Sequence, residues 1–143
     1  MKTLTLVVAI AAVSAGQSRG ASIAGSWTAQ FEGRTFLRLE LKTANGTITG
    51  GLAIGNIEVD KDGALRRVGE IPRDLTPIFD VAQRASTVTF SRKDTPHSRP
   101  DRFELRLLEA GHAELQFLMS DADRKELAAT GGKTVKPIRL TKH

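Results

Sequence analysis

The chain has 143 residues, a formal net charge of +5 and no cysteine. Its length indicates one domain, and the lack of cysteine excludes disulfide bonds and lipid attachment through a cysteine, so the apolar core must hold the fold. The basic balance permits contact with anionic surfaces. Tyrosine is absent and the phenylalanines are dispersed, so the aromatic platforms typical of nucleic-acid binding are not expected.

Residues 1–21 have the pattern of a secretory signal peptide. Lys2 gives a positive start, an apolar stretch from Leu4 to Val13 follows, and small residues come next. Cleavage is predicted after Ala15 or Ala21, which leaves a single β domain over residues 22–143. The apolar stretch is shorter than the about 20 residues of a spanning helix, so we expect no transmembrane segment and a secreted or periplasmic location. The alternative is an N-terminal strand or buried helix.

Alternation of apolar and polar residues with a period of two dominates the chain and predicts half-buried strands. In "TFLRLELK", Leu37, Leu39 and Leu41 share one face. Asn-Gly at 45–46 then predicts a hairpin turn to a second strand, "TITGGLAIG". The glycine pair of that strand, at 50–51, predicts a bulge or a sharp bend, which helps a sheet to curl.

Further strands follow towards the C-terminus. "NIEVDKDGALRRVGEI" predicts a hairpin around the turn at 60–63, which is half of a calcium-loop pattern but is better explained as an ordinary Asp-Gly turn. Residues 72–86 leave two alternatives, a short strand at 78–81 or a helical turn. "TVTFSR" predicts a strand at 87–92, and "DRFELRLLEAGHAELQFLM" predicts a hairpin. A last strand is expected at about 135–141.

One short helix is expected near the C-terminus. Ser120 begins it with Asp123 three residues later, in a variant of the capping box, and it runs to about Ala129 before a Thr-Gly-Gly stop. About eight or nine short strands separated by turns are typical of a closed barrel or a sandwich. Because closure removes exposed edges, we predict an all-β fold, a small antiparallel up-and-down β-barrel of about eight strands with one short C-terminal helix.

The stretch "IAGSWTAQFEG" contains the only tryptophan of the chain, in the motif Gly25-Ser26-Trp27. A Gly-x-Trp in the first strand of a secreted antiparallel β protein resembles the calycins, the group of lipocalins, avidins and small bacterial proteinase inhibitors. Over residues 23–56 the order of turns and strands resembles the avidins most. The resemblance implies a barrel in which Gly25 and Trp27 form a structural plug at the closed end.

Two departures limit what the resemblance implies. Biotin-binding avidins surround their ligand with further tryptophans and a tyrosine, which this chain lacks, so biotin binding is not implied. The bacterial inhibitors have a disulfide, which this chain cannot form. The chain is also similar to uncharacterised small secreted bacterial proteins through its "GNIEVDKDG" turn and "KPIRLT" strand.

The loop "KDTPHSRP" and the residues beside it carry the candidate binding residues. Their basic side chains predict a rim that binds an anion or a surface, although an ordinary solvated loop explains the same charges. The candidate ligand-binding residues are Arg92, Lys93, His97, Arg99 and Arg102.

The 92–106 region also holds the residue types of a hydrolase, His97, Ser98 and Asp101. Adjacent histidine and serine rarely reach the geometry of a catalytic triad, and no Gly-x-Ser-x-Gly motif occurs, so an enzyme is the weakest hypothesis and no catalytic residue is assigned. One histidine with scattered carboxylates lacks the spacing of a metal site. The sequence predicts no cofactor and no metal.

Two functional hypotheses therefore precede the enzyme. The first is a secreted or periplasmic, non-enzymatic binding module, whose ligand is a small apolar molecule in the barrel mouth or a protein or surface touched by the loops. The second is a protein-interaction or inhibitor-type barrel with a filled core. An open apolar cavity of several hundred Å³ would favour a small ligand, whereas a solid interior would favour protein interaction.

Overall fold

The computed structural model describes residues 23–132 and 134–143, so the predicted signal peptide and its cleavage sites lie outside the described residues. The described residues form one helix, α1 (Asp121–Ala129), and eleven strands. In chain order the strands are β1 (Gly25–Phe31), β2 (Arg34–Ala44), β3 (Thr47–Ile54), β4 (Ile57–Val59), β5 (Leu65–Val68), β6 (Thr76–Pro77), β7 (Phe79–Arg84), β8 (Thr87–Arg92), β9 (Asp101–Leu107), β10 (His112–Leu118) and β11 (Ile138–Lys142).

Nine of these strands form a single antiparallel sheet in the order β6-β3-β2-β1-β11-β10-β9-β8-β7. Its two outermost strands, β6 and β7, are separated in the chain by Ile78 alone, so both edges of the sheet belong to one bent segment, 76–84. The first and last strands are joined by pairing of Thr28 with Thr141. The sheet is therefore a nearly closed up-and-down barrel with eight strand positions, which confirms the predicted fold class.

The interior of the barrel is filled by side chains from alternate positions of the strands. Phe90 and Phe103 stack with ring centroids 5.4 Å apart, and Phe117 tilts against Phe103 at 5.0 Å. Alternation places one face of each strand inside, as the sequence predicts for β2, β8, β9 and β10. The largest side chains of this core with less than 2 % exposure are Trp27, Phe36, Phe90, Phe103, Ile23, Leu37, Leu39, Leu41, Leu52, Leu105, Leu115 and Leu140.

The predicted hairpin around the turn at 60–63 is confirmed, but it lies outside the barrel. Its strands β4 and β5 form a separate two-stranded sheet. Asp60 shapes the turn, because its Oδ1 accepts hydrogen bonds from the amides of Asp62 (2.8 Å) and Ala64 (3.0 Å). The Lys136 amide donates to the Gly63 carbonyl at 3.0 Å, which fastens the hairpin to the segment before β11.

Of the two alternatives predicted for Gly50 and Gly51, a bulge or a sharp bend, the bulge is wrong. β2 and β3 pair in one continuous register from Ala44 with Thr47 to Leu37 with Ile54. Gly50 is needed for close approach instead, since a Cβ there would collide with the carbonyl oxygen of Glu40. The bulge lies elsewhere.

Phe36 forms that bulge in β2. Ala29 pairs with Leu37 and Gln30 with Thr35, so Phe36 is the extra residue in the pairing of β2 with β1. Its side chain is fully buried. A bulge in a strand redirects side chains, which explains why two successive residues, Phe36 and Leu37, both enter the core.

The C-terminal elements follow the prediction with one change of boundary. Ser120 caps α1 by accepting the Asp123 amide at its Oγ, 3.1 Å away. The last strand begins at Ile138, not at Val135, because Pro137 has no amide hydrogen to donate to a ladder.

Candidate functional site

A groove of about 810 Å³ lies on the outside of the barrel. It lies between α1 and the end of the loop that joins β8 to β9. We call it the helix groove. Its floor is apolar and its rim is charged, and the lining residues used below are Arg99, Arg102, Leu118, Met119, Asp123 and Leu127.

Local hydrogen bonds fix both walls of the helix groove. On one side, the Ser98 Oγ donates to the Thr95 carbonyl at 2.9 Å and accepts from the Thr95 amide at 3.0 Å. On the other side, Ser120 begins the helix, and the Leu127 carbonyl accepts from the Gly132 amide at 2.9 Å as the helix ends. Backbone turns with their own hydrogen bonds thus hold the two segments that flank the groove.

Charge across the helix groove is mixed. Arg99 approaches Asp123, with its Nη1 3.8 Å from Oδ1. Both side chains are substantially exposed, so this ion pair contributes little to stability and can be exchanged for a pair with a partner. Arg102 is held more firmly, because its Nη1 donates to the Ser91 Oγ at 2.7 Å.

Arg92 is placed differently from the other predicted rim residues. It follows Val88 and Phe90 on the inward face of β8, and only 7 % of it is exposed. Its Nη2 lies 3.6 Å from Asp94 Oδ1, and its buried Nε has no partner among the described residues. The alternation of β8 therefore directs this guanidinium into the barrel end rather than to the rim.

Asp101 faces Arg92 in the register of β8 and β9. Burial raises the pKa of the Asp101 carboxyl, nearby Arg92 opposes that rise, and Asp94 adds to it. A carboxyl next to a buried guanidinium would ordinarily have a lowered pKa, so desolvation outweighs the pairing here. Arg92 is buried in this group, whereas Asp94 and Asp101 are mostly exposed beside it, and we call the three residues the polar layer.

Lys93 and His97 are exposed in the β8–β9 loop and do not line the helix groove. The structure therefore brings Arg99 and Arg102 together in one groove, while it leaves Lys93 and His97 on the loop surface and buries Arg92. The Ser98 hydroxyl proton is donated to the Thr95 carbonyl rather than to His97. That geometry does not activate Ser98 as a nucleophile.

Trp27 lies at the opposite end of the barrel. Its side chain is 1 % exposed, and its Nε1 donates to the Ile23 carbonyl at 3.0 Å. The Lys142 Nζ lies 5.7 Å from the centroid of the Trp27 ring. Gly25 has a φ of 141°, and a Cβ there would come within 2.7 Å of the Lys142 Cε, so the glycine of the motif makes room for the lysine that covers the tryptophan.

Sequence reasoning missed the apolar half of the helix groove. Leu118 is the last residue of β10 and Met119 follows it, and Leu127 is half-buried on α1. Leu127 was the one sign of this apolar surface in the sequence, because it is the single large apolar residue of α1. The sequence pattern does not say what Leu127 packs against.

Residues 23–132 and 134–143 bring together no group of three or more His, Cys, Asp or Glu suited to a metal ion. Within the same residues, no helix has the length and apolar character needed to span a membrane.

Comparison with protein-family models, with curated proteins and with solved structures gives no match to this chain. The resemblance to calycins thus remains a prediction from the motif around Trp27. What can be said about function depends on the geometry of the chain itself.

Proposed function

We propose that this chain is a secreted or periplasmic, non-enzymatic binding module that contacts a protein partner through the helix groove. The filled interior of the barrel is the observation that carries the proposal. Phe90, Phe103 and Leu115 are completely buried in its core, and they line none of the grooves described for this structure. Of the two hypotheses from the sequence, we therefore favour the interaction barrel with a filled core.

A small apolar ligand inside the barrel is the less favoured version. Such a ligand needs a concave pocket that covers most of its surface. Here the stacked rings of Phe90 and Phe103, with Phe117 tilted against Phe103, occupy space that the ligand would need. We expect neither the naphthalene dye 1-anilinonaphthalene-8-sulfonate nor palmitate to enter the folded barrel.

The helix groove suits a polypeptide segment. Leu118, Met119 and Leu127 offer an apolar floor for one or two side chains, and methionine adapts to irregular partners. Arg99 and Asp123 at the rim offer both signs of charge, so a partner segment with an apolar residue between polar ones is complementary. The predicted leader and the calycin resemblance support the location and the binding role.

Site-specific photocrosslinking tests the proposal. The full chain carries p-benzoylphenylalanine in place of Leu127 and is irradiated in the secreted and periplasmic fractions of its source. We expect one discrete protein adduct, whose partner is then purified and titrated with the unmodified chain by calorimetry. Replacing Met119 with Lys, which places a charge on the groove floor, should weaken that titration at least about tenfold, equivalent to about 1.4 kcal/mol.

Leu108 provides the matched control position. It is the exposed leucine (38 %) just after β9, at the opposite end of the barrel. The same photoprobe at Leu108 should give no such adduct. Equal adducts at both positions, or binding of palmitate in the barrel with no adduct at Leu127, would contradict the proposal.

A further inference from the structure

The barrel has a seam where the pairing of β3 with the segment 76–84 stops. Leu52 pairs with Thr76 and Gly51 with Pro77, and the Ile78 amide donates to the Gly50 carbonyl at 3.1 Å. Beyond that point β7 pairs only with β8, and the rest of β3 pairs only with β2. A groove of about 410 Å³ separates the two strands, and we call it the seam.

The local conformation of β7 explains why the seam opens at this place. Asp80 is the residue that would face Ile48 if the ladder continued, but its φ is 50°. On its other edge, β7 has an irregular register with β8, since Phe79 pairs with Ser91 and Ala82 with Thr89. The extra residue makes a bulge, and a bulge bends its strand away from the neighbour that it would otherwise pair with.

The seam therefore has backbone hydrogen-bonding groups on its β3 side. Gly50 directs its carbonyl towards the segment 76–84. In an antiparallel ladder, residues two apart direct their backbone groups to the same side, so Ile48 presents its amide and carbonyl to the seam. Thr47 and Thr49 direct theirs to β2. Among the described residues, Ile48 has a ladder partner, Thr43, only on the β2 side.

We infer that the seam binds an extended peptide segment of another protein, which adds a short strand between β3 and β7. An unpaired sheet edge is matched by extended backbone, because main-chain donors and acceptors meet at a fixed spacing. This surface is separate from the helix groove and does not depend on it. The stretch of β3 from Thr47 to Thr49 is about 10 Å long, which matches a segment of three residues, and within it Ile48 offers the amide and carbonyl that face the seam.

A second copy of the chain is a poorer occupant than an isolated segment. A strand placed within the seam must have both of its edges free, because it meets β3 on one side and β7 on the other. Each of the eleven described strands is already paired along at least one edge. Any of these strands in a second copy could therefore satisfy only one side of the seam.

Side chains around the seam define the chemistry of the segment. Ile48 points into the barrel and is 7 % exposed, and Val81 packs partly against the same core. A residue of the segment on that face would be apolar and β-branched. Thr47 and Thr49 are exposed on the outer face, so short polar residues would fit beside them.

The test uses a capped pentapeptide, Thr-Thr-Val-Thr-Thr, and the isotope-labelled full chain in nuclear magnetic resonance. Titration should shift the amide signals of Ile48 and Asp80. The Ile48 amide should exchange with solvent rapidly in the free protein, and its exchange should slow by a factor of one plus the ratio of free peptide to Kd, about tenfold at nine times Kd. Exchange at Thr49, whose amide faces β2, should change little.

A backbone-methylated peptide with the same side chains is the matched control, because it cannot donate to a strand edge. It should produce no shift at Ile48. Ile48→Pro removes the amide that faces the seam and should abolish binding, whereas Ile48→Val keeps that amide and should bind.

Equal effects of the two peptides, or no shift at Ile48 at millimolar peptide, would overturn the inference. A stable dimer of the free chain in light scattering, with Ile48 protected, would overturn it in favour of a second copy. The peptide controls remain decisive if Ile48→Pro fails to fold. Met119→Lys should leave the pentapeptide titration unchanged, which separates this inference from the proposed role of the helix groove.

Discussion

The two ends of the barrel differ in the residues that lie there. At one end, Trp27 is buried, its Nε1 donates to the Ile23 carbonyl and Lys142 lies over its ring. At the other end, the polar layer of Arg92, Asp94 and Asp101 follows Phe90 and Phe103 along β8 and β9, and the hairpin β4–β5, the β8–β9 loop and α1 connect strands at that end.

This difference indicates which end of a barrel with a filled core can bind a partner. An apolar plug contributes stability by removing surface from water and leaves few polar groups to recognise a partner. At the other end, the loops and the capped helix leave grooves between them. These grooves carry polar groups of both charges, which can recognise a partner. The four predictions below test that contrast, starting with the largest effect.

Trp27→Ala should lower the free energy of unfolding by about 3–5 kcal/mol, because it leaves a large cavity at the apolar end. Urea unfolding followed by circular dichroism measures it. Leu127→Ala removes a half-buried side chain at the other end and should cost about 1 kcal/mol. Similar losses for the two variants would mean that Trp27 is not a structural plug.

Ser120→Ala should lower the free energy of unfolding by about 1 kcal/mol, because it removes the side chain that caps α1. Faster hydrogen exchange should be confined to the first turn of the helix and to the helix groove. Ser86→Ala, at an exposed serine in the β7–β8 turn, serves as the control and should be neutral. An equal loss in both variants would rule out the capping explanation.

Arg92→Met should change the free energy of unfolding by less than about 1 kcal/mol, because a buried guanidinium with an unpartnered Nε is replaced by an apolar chain of similar length. The same variant should raise the pKa of Asp101 further, since Arg92 is the group that lowers it. Titration of the Asp101 carboxyl carbon by nuclear magnetic resonance measures that rise.

Because folding raises the pKa of Asp101, the free energy of unfolding depends on pH in a known direction. A carboxyl whose pKa is raised by folding favours the folded state at low pH, and this contribution is lost as the pH rises through the folded-state pKa. Arg99→Met, at the exposed end of the loop, should leave the Asp101 titration as it is. A fall in the pKa of Asp101 in Arg92→Met would refute the polar layer.

Asp60→Asn should have the smallest effect. We expect it only in the pH dependence of amide hydrogen exchange in the β4–β5 turn. Hydrogen bonds from the Asp62 and Ala64 amides lower the pKa of the Asp60 carboxyl. The ionised Asp60 carboxylate therefore stabilises the turn at a pH above its unfolded-state pKa of 3.8. This stabilisation is lost as the pH falls through the lower folded-state pKa. Exchange at the Ala64 amide should rise on acidification in the parent chain but not in Asp60→Asn, while Asp62→Asn behaves like the parent.

Much of the fold could be predicted from local pattern. The alternation around Leu39 and Phe103, the Asn45-Gly46 turn and the Ser120 cap each depend on nearby residues, and each is confirmed. The candidate site was predicted only in part. Arg99 and Arg102 share a groove, but their apolar neighbours on β10 and α1 come from distant parts of the chain.

Sequence by itself determined most of the strands, their turns and their apolar faces, because these depend on spacing and backbone preference within a few residues, but it left residues 72–86 open. Tertiary structure alone decided that Arg92 points inward, that β4–β5 leaves the barrel and that the bulge at Asp80 opens the seam. Those outcomes depend on the register between strands and on the closure of the sheet, which join residues that no local pattern connects.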